Sequence, residues 1–263
     1  MPNNDQKIIE KLRSRSFRGV IFDFDGTILD ILEPLQRSID EVFEEKAIEI
    51  ETEFAIQEIG SVLESLQGYP IPKIILQSHE IFKYLTIFEK MTFFKKLRIA
   101  MKIFSKFLEY SKDAHIFPGI KELFSYLSKD CKLFIVSHSQ TKNVLETLQR
   151  EEIENSFEEV YGADKLPALK PNPDAFLPIL ERYNKIKNSE WLVIGDMPTD
   201  IEAGKEAGLG TIGITSGISK KEVLAKIQPD LLINSITELL ELVGIKIGKI
   251  SDSKAKASLK IKS

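Results

Sequence analysis

Two kinds of apolar spacing divide the chain. Residues 19–24, GVIFDF, begin as a short unbroken apolar run, the mark of a strand buried on both faces. From about Leu32 to Ser111 no such run recurs. Apolar residues fall there at helical spacing, as in SIDEVFEEKAIEIETEFAIQEI (38–59) and FEKMTFFKKLRIAMKIFSKFLEYS (88–111). In the second stretch Phe93, Leu97, Met101, Phe104 and Leu108 form the stripe predicted to pack against neighbouring helices. Its lysines at 95, 96, 102 and 106 leave a membrane-surface or partner-binding role as the alternative.

After FPG (117–119) strands and helices alternate. KLFIVS (132–137), EEVYGA (158–163), WLVIGD (191–196), TIGIT (211–215) and DLLI (230–233) read as strands. Helices are predicted from Gln140, over 172–183 and from the WLVIGD strand through Ala207. Asn172 is the expected N-cap and Pro173 the N1 residue of the second of these, with a kink at Pro178. Such alternation predicts an α/β fold, a Rossmann-like parallel sheet with helices on both faces. The strand at 19–24 belongs to that sheet. The chain therefore reads as a core of residues 1–31 and 113–245, with an inserted α-helical cap at 32–112. The lysine- and serine-rich tail, 246–263, is expected to be disordered.

Composition narrows the function classes. A net charge of −4 on 263 residues gives no basic field for nucleic acid. One cysteine, Cys131, forms no internal disulfide. No apolar run reaches the length of a membrane span, and the N-terminus lacks the apolar stretch of a secretory signal. A cytoplasmic location is expected, and monomer or homodimer is left open.

Three predicted strands end in reactive groups, where open parallel sheets place ligands. The first ends at Asp23, with Asp25 beyond it and Gly26 to let the chain turn. The second ends at Ser137, and a later one at Asp196, followed by Asp200. Side-chain alternation lets Asp23 and Asp25 point the same way. Clustered carboxylates suit Mg²⁺, which turns a site that repels phosphate into one that holds it. Lys170, in LKPNPDAF, adds a positive charge just before a helix. Carboxylates, a hydroxyl, a lysine and a metal suffice for phosphoryl transfer through an aspartyl-phosphate. Spacing alone does not choose the nucleophile between Asp23 and Asp25.

These motifs, in this order, resemble the haloacid dehalogenase superfamily, in its helical-cap, phosphoglycolate phosphatase and pyrophosphatase branch. VIFDFDGTILD resembles its first motif, IVSHS its second, LKPNPDAF its lysine motif, and VIGDMPTDIEAGKEAGLGTIGITSG its fourth with the following helix and strand. The resemblance covers about residues 18–243. It implies a phosphatase acting on a small phosphorylated metabolite, with Asp23 as nucleophile and Asp25 as general acid and base. The Asp25 carbonyl and Asp196 would bind Mg²⁺ with Asp23, and Asp200 would support the metal through water or orient Lys170. Ser137 and Lys170 would hold the phosphoryl oxygens, and Gly26, Thr27 and His138 complete the candidate phosphate-binding set. A pyrophosphatase, a sugar-phosphate mutase and a non-catalytic binding protein are the alternatives. Met197 departs from the Ser or Thr that relatives often carry after the fourth-motif aspartate, so a supporting hydrogen bond is expected to be missing. In the cap, IGSVLESL (59–66) marks Gly60 as a substrate-contact candidate.

Overall fold

The structure is a computed structural model; it describes residues 4–50 and 91–245, together with 52, 55, 56 and 58. The expectations placed on Gly60, on the region around it and on the tail from 246 lie outside the described residues. Helix α1 (Asn4–Arg13) precedes β1 (Gly19–Phe22). Two helices of the insert follow, α2 (Leu32–Glu45) and α3 (Phe93–Tyr110), then α4 (Ile120–Leu127) and β2 (Lys132–Val136). Next come α5 (Thr141–Arg150), β3 (Glu159–Tyr161), α6 (Leu177–Arg182), β4 (Trp191–Gly195) and α7 (Pro198–Glu206). The chain closes with β5 (Gly210–Ile214), α8 (Lys221–Ile227), β6 (Leu231–Ile233) and α9 (Ile236–Leu242).

The six strands form one parallel sheet in the order β3-β2-β1-β4-β5-β6. Its central strands are buried on both faces, which is why they read as continuous apolar runs. Alternate residues feed two cores. Val20, Phe22, Ile135 and Ile194 join α1, α4, α5, α9 and the insert on one face. Ile21, Phe134, Val136, Trp191 and Val193 pack with Phe176 and Ile179 on the other. Among the described residues no helix is long and apolar enough to cross a membrane.

Three local expectations are corrected. The residues 38–59 are not one helix, because α2 stops at Glu45. Ala47, at φ +48°, turns the chain, and the Ala47 and Ile48 N–H groups close back on the Glu44 and Phe43 carbonyls. That is a left-handed helix end without its usual glycine, held by Ile48 packing on the core that contains Phe43. Pro178 does not kink a longer helix. A 3₁₀ turn, Pro173–Phe176, capped by the Asn172 side chain, gives way to α6, and Pro178 lies in the first turn of α6, where its missing N–H is harmless. On α3 the fully buried face is Ile99, Ile103 and Phe107, whereas Met101 and Leu108 of the expected stripe are exposed. Burial of that face sets the rotation of α3, and on its rim Glu45 and Glu41 of α2 pair with Lys102 and Lys106, which commits two of the four lysines within the chain. Helix α1, within the segment assigned to the core, packs Ile8 and Leu12 into it.

Candidate active site

The site forms where β1 and β4 end side by side, the point at which the connections leave the sheet in opposite directions. Phe22 is level with Ile194 and Ile135. The Asp23 N–H still donates to the Ile194 carbonyl at 2.9 Å, so Asp23 leaves the sheet in register. Register thus brings the ends of three strands, and with them Asp23, Asp196 and Ser137, to one edge.

Lys170 ties this edge together. It comes from the long connection between β3 and β4, and its side chain is 1% exposed. Its Nζ donates to Asp23 Oδ1 at 2.7 Å, Asp200 Oδ1 at 2.5 Å and the Val136 carbonyl at 3.0 Å, using all three ammonium protons. Asp200 sits in the first turn of α7, where its other oxygen accepts the Met197 N–H at 3.0 Å. Backbone therefore supplies a support that was expected to be missing at Met197, whose Sδ accepts from Ser219 Oγ at 3.0 Å. Asp196 Oδ1 accepts from Thr27 Oγ1 at 3.0 Å, and Oδ2 from the Ile218 N–H at 2.8 Å.

The turn after β1 is narrow. Phe24 O accepts both the Ile28 and Leu29 N–H groups, and Gly26 sits at φ +86°. A Cβ on Gly26 would lie 2.3 Å from Asp196 Oδ2, so the turn needs glycine for conformation and for space. Gly217 is constrained by space alone, its Cβ position being 2.0 Å from the same oxygen.

Asp23 and Asp25 do not share partners as simple alternation suggested. The turn sends the Asp25 carboxylate toward β2, where Ser139 Oγ donates to it at 2.7 Å and Ser137 Oγ at 3.4 Å. The Ser139 N–H in turn donates to Ser137 Oγ at 2.9 Å. His138 lies buried between these two serines in sequence. Thr27 faces Asp196, and Ser137 faces Asp25.

Asp23, Asp196 and Asp200 each place one carboxylate oxygen within 4.8 Å of the others'. Burial lifts the Asp23 carboxyl well above the usual carboxylate range; Lys170 opposes this, and Asp200, Asp196 and Asp25 add to it. Burial likewise raises Asp25, against the donors Ser139 and Ser137. Asp196 is pushed up to about 7, by burial first and then by Asp200. Burial pushes the Lys170 ammonium down, but Asp200 and Asp23 outweigh it and hold it above the usual lysine range. Three buried carboxyl groups thus share one buried cation. An all-oxygen donor set with uncompensated negative charge fits a small hard divalent ion such as Mg²⁺.

Sequence reasoning missed Ser139, Gly217 and the Ile218 N–H. Ser139 was readable, since it lies two residues beyond Ser137. The Ile218 contact was not, because any non-proline residue carries that donor.

Comparison with known proteins finds relatives both in sequence and in fold. A phosphoglycolate phosphatase of Vibrio vulnificus (strain CMCP6) is 31% identical over 237 residues, which span 88% of this chain and 98% of that protein. One of Shigella boydii is 29% identical over 248 residues, spanning 90% and 96%. Among solved structures, a haloacid dehalogenase-like family hydrolase from Streptococcus pneumoniae shares the fold at a TM-score of 0.62 and 20% identity, over 86% of this chain and 98% of that one. The magnesium-bound YfnB of Bacillus subtilis shares it at 0.61 and 20%, over 87% and 99%. The family model of the haloacid dehalogenase-like hydrolases matches residues 20–214, from inside β1 to the last residue of β5, and the chain belongs to that family.

Proposed function

We propose that the protein is a Mg²⁺-dependent phosphomonoesterase that acts on a small phosphorylated metabolite through a phosphoryl group carried by Asp23. The observation that carries this reading is Lys170, buried between Asp23 and Asp200 beside Asp196. The name shared by the similar Vibrio and Shigella proteins makes phosphoglycolate the first ester to try. Asp23, Asp196 and the Asp25 carbonyl would hold Mg²⁺, with Asp200 alongside. Bound there, the ion offsets the repulsion between carboxylates and phosphate and polarises the phosphoryl oxygens.

In the first step an Asp23 carboxylate oxygen attacks phosphorus as the ester P–O bond breaks. Asp25, whose burial favours the protonated form, gives its proton to the departing alkoxide. In the second step the Asp25 carboxylate takes a proton from water, and the resulting hydroxide oxygen attacks phosphorus. The P–O bond to Asp23 breaks, releasing inorganic phosphate. Lys170 orients Asp23, opposes its protonation and offers positive charge to the phosphoryl oxygens, to which Ser137 would donate a hydrogen bond. Ser139 holds the Asp25 carboxylate toward β2.

Residues 32–112 act as a cap in this reading. The two chains that enter and leave it are paired: Leu29 bridges Ile116, and the Asp30 N–H donates to His115 O at 2.8 Å. Closing over the site would exclude water until the ester is bound. The test is phosphate release from acetyl phosphate and phosphoglycolate, with Mg²⁺ and after chelation. The wild type should turn over only with metal, and Asp23→Asn should retain less than a few per cent of the rate. Full activity in either the chelated enzyme or the variant refutes the assignment.

A further inference from the structure

Met197 stands where β4 gives way to α7, between Asp196 and Asp200. A serine or threonine at such a position caps the helix with its own oxygen. A thioether is a weak acceptor, and this one is engaged by the loop that follows β5: Ser219 Oγ donates to Met197 Sδ at 3.0 Å. Met197 is 5% exposed and Ser219 8%, so the bond is sheltered from water.

That loop, residues 215–219, is held at both ends. At its start the Thr215 N–H donates to the Ile233 carbonyl at 3.0 Å, which continues the pairing of β5 with β6. At its end three consecutive residues meet two consecutive residues of the fourth motif. Gly217 lies against the Asp196 carboxylate, the Ile218 N–H donates to Asp196 Oδ2 at 2.8 Å, and Ser219 donates to Met197. The donor that orients Asp196 therefore sits between an anchor on β6 and an anchor on Met197. Met197 also gives its N–H to Asp200 Oδ2 at 3.0 Å. One residue is thus bonded both to Asp200 and to the loop that orients Asp196, and these two carboxylates, with Asp23, are the ones whose oxygens lie within 4.8 Å of one another.

We infer that Ser219 and Met197 are positioning residues for the proposed Mg²⁺ site, their hydrogen bond tying the loop that orients Asp196 to the helix start that orients Asp200. The inference rests on the Mg²⁺-dependent reading and concerns how tightly the site takes its ion. Mg²⁺ demands near-ideal octahedral geometry at short distances, so its affinity responds to small changes in the separation of its carboxylates. With the Ser219 bond removed, the Ile218 N–H is carried on a loop anchored at Thr215 alone, and Asp196 Oδ2 loses a fixed partner. Methionine at 197 thereby does for the site, by reaching across to the loop, what a short hydroxyl side chain would do by capping the helix.

The test is a double-mutant cycle on the full chain: Ser219→Ala, Met197→Leu and the two together. Each protein is titrated with MgCl₂ by calorimetry and melted after chelation. Ser219→Ala removes the donor and leaves unpaired only a weak acceptor. Met197→Leu removes the acceptor at nearly constant volume. Each single variant should weaken Mg²⁺ binding about three- to tenfold, the worth of one neutral hydrogen bond and less than the roughly 10–100-fold that follows loss of a group bonded directly to a metal ligand. The double variant should bind no more weakly than the weaker single one, because both changes remove the same bond. Chelated Ser219→Ala should melt within about 4 °C of wild type. A purely structural role would instead lower the melting temperature and leave the dissociation constant where it was. Unchanged Mg²⁺ affinity in both single variants, or losses that add in the double variant, overturns the inference and leaves the Mg²⁺ site standing. Folded wild type that takes up no Mg²⁺ overturns both.

Discussion

Replacing Lys170 by Met keeps the length of the side chain and removes its charge. In the folded protein the ammonium lies 2.7 Å from Asp23 Oδ1 and 2.5 Å from Asp200 Oδ1. Those partners are 6% and 0% exposed, so water cannot take its place. Removing one partner of such a buried pair costs about 3–5 kcal/mol. At roughly 2–4 °C per kcal/mol for a chain of this size, the melting temperature should fall by roughly 6–20 °C. The loss should shrink as pH is lowered from 7.5 to 5, because Asp23 already has a raised pKa and takes up a proton in place of the missing cation. Turnover should fall by about 10²–10³, equivalent to about 3–4 kcal/mol of transition-state stabilisation. The same charge therefore serves the fold and the chemistry to a similar extent. Circular dichroism melts of the chelated protein at the two pH values, with initial rates on acetyl phosphate, measure both. A variant that melts within about 2 °C of wild type at pH 7.5 would refute the argument, because the ion pairs would then not be buried as described.

Chelated protein should melt lower at pH 8 than at pH 5.5. Asp196, raised by burial and Asp200 to about 7, binds its proton more tightly when folded than unfolded. That contribution is complete below the unfolded pKa, near 4, and is lost as pH rises through about 7. Adding Mg²⁺ at pH 8 should raise the melting temperature more than adding it at pH 5.5; the same melts followed with and without the ion decide this, and equal shifts would count against the carboxylate cluster as its site. Gly26→Ala should cost about 1–2 kcal/mol from its left-handed backbone alone and more from the collision with Asp196, read as a lower melting temperature together with weaker Mg²⁺ binding in titration calorimetry.

The sheet was legible because its central strands are buried on both faces, so each of them announces itself without alternation. The order of strands was not written in any one of them. It follows from the helical crossovers and from which apolar faces meet. In the site, Asp23, Asp25, Lys170, Asp196 and Asp200 were visible because several charged residues fall, in one order, at the ends of apolar runs or beside helix starts; any one of them alone would read as a surface turn or a helix cap. The pairing of Lys170 with both Asp23 and Asp200 was not visible, since it depends on how the connection between β3 and β4 folds back over β2. Helix rotation was the weakest inference. On α3 several apolar stripes are available in the sequence, and which one is buried depends on the apolar face that α2 presents to it. The early end of α2 was hidden because Ala47 occupies a conformation that glycine usually signals.

The turn between Asp25 and Leu29 gives the proposed acid a position that no isolated motif explains. Asp25 and Leu29 are bridged to each other, and Leu29 is bridged to Ile116 on the strand of chain returning from the insert. The Phe117 N–H donates to Ile28 O at 2.9 Å, which extends the same pairing. Arg150, on α5, holds the Lys112 and Ala114 carbonyls just before it. A shift of the insert that reached these linkers would therefore be felt in the turn that carries Asp25, whereas Asp23 is held by the sheet through Ile194 and by Lys170. The proposed nucleophile is thus held by the sheet and the proposed acid by the turn paired to the linkers. In the proposed mechanism such an arrangement would let protonation of the leaving group wait for closure without disturbing the attacking oxygen.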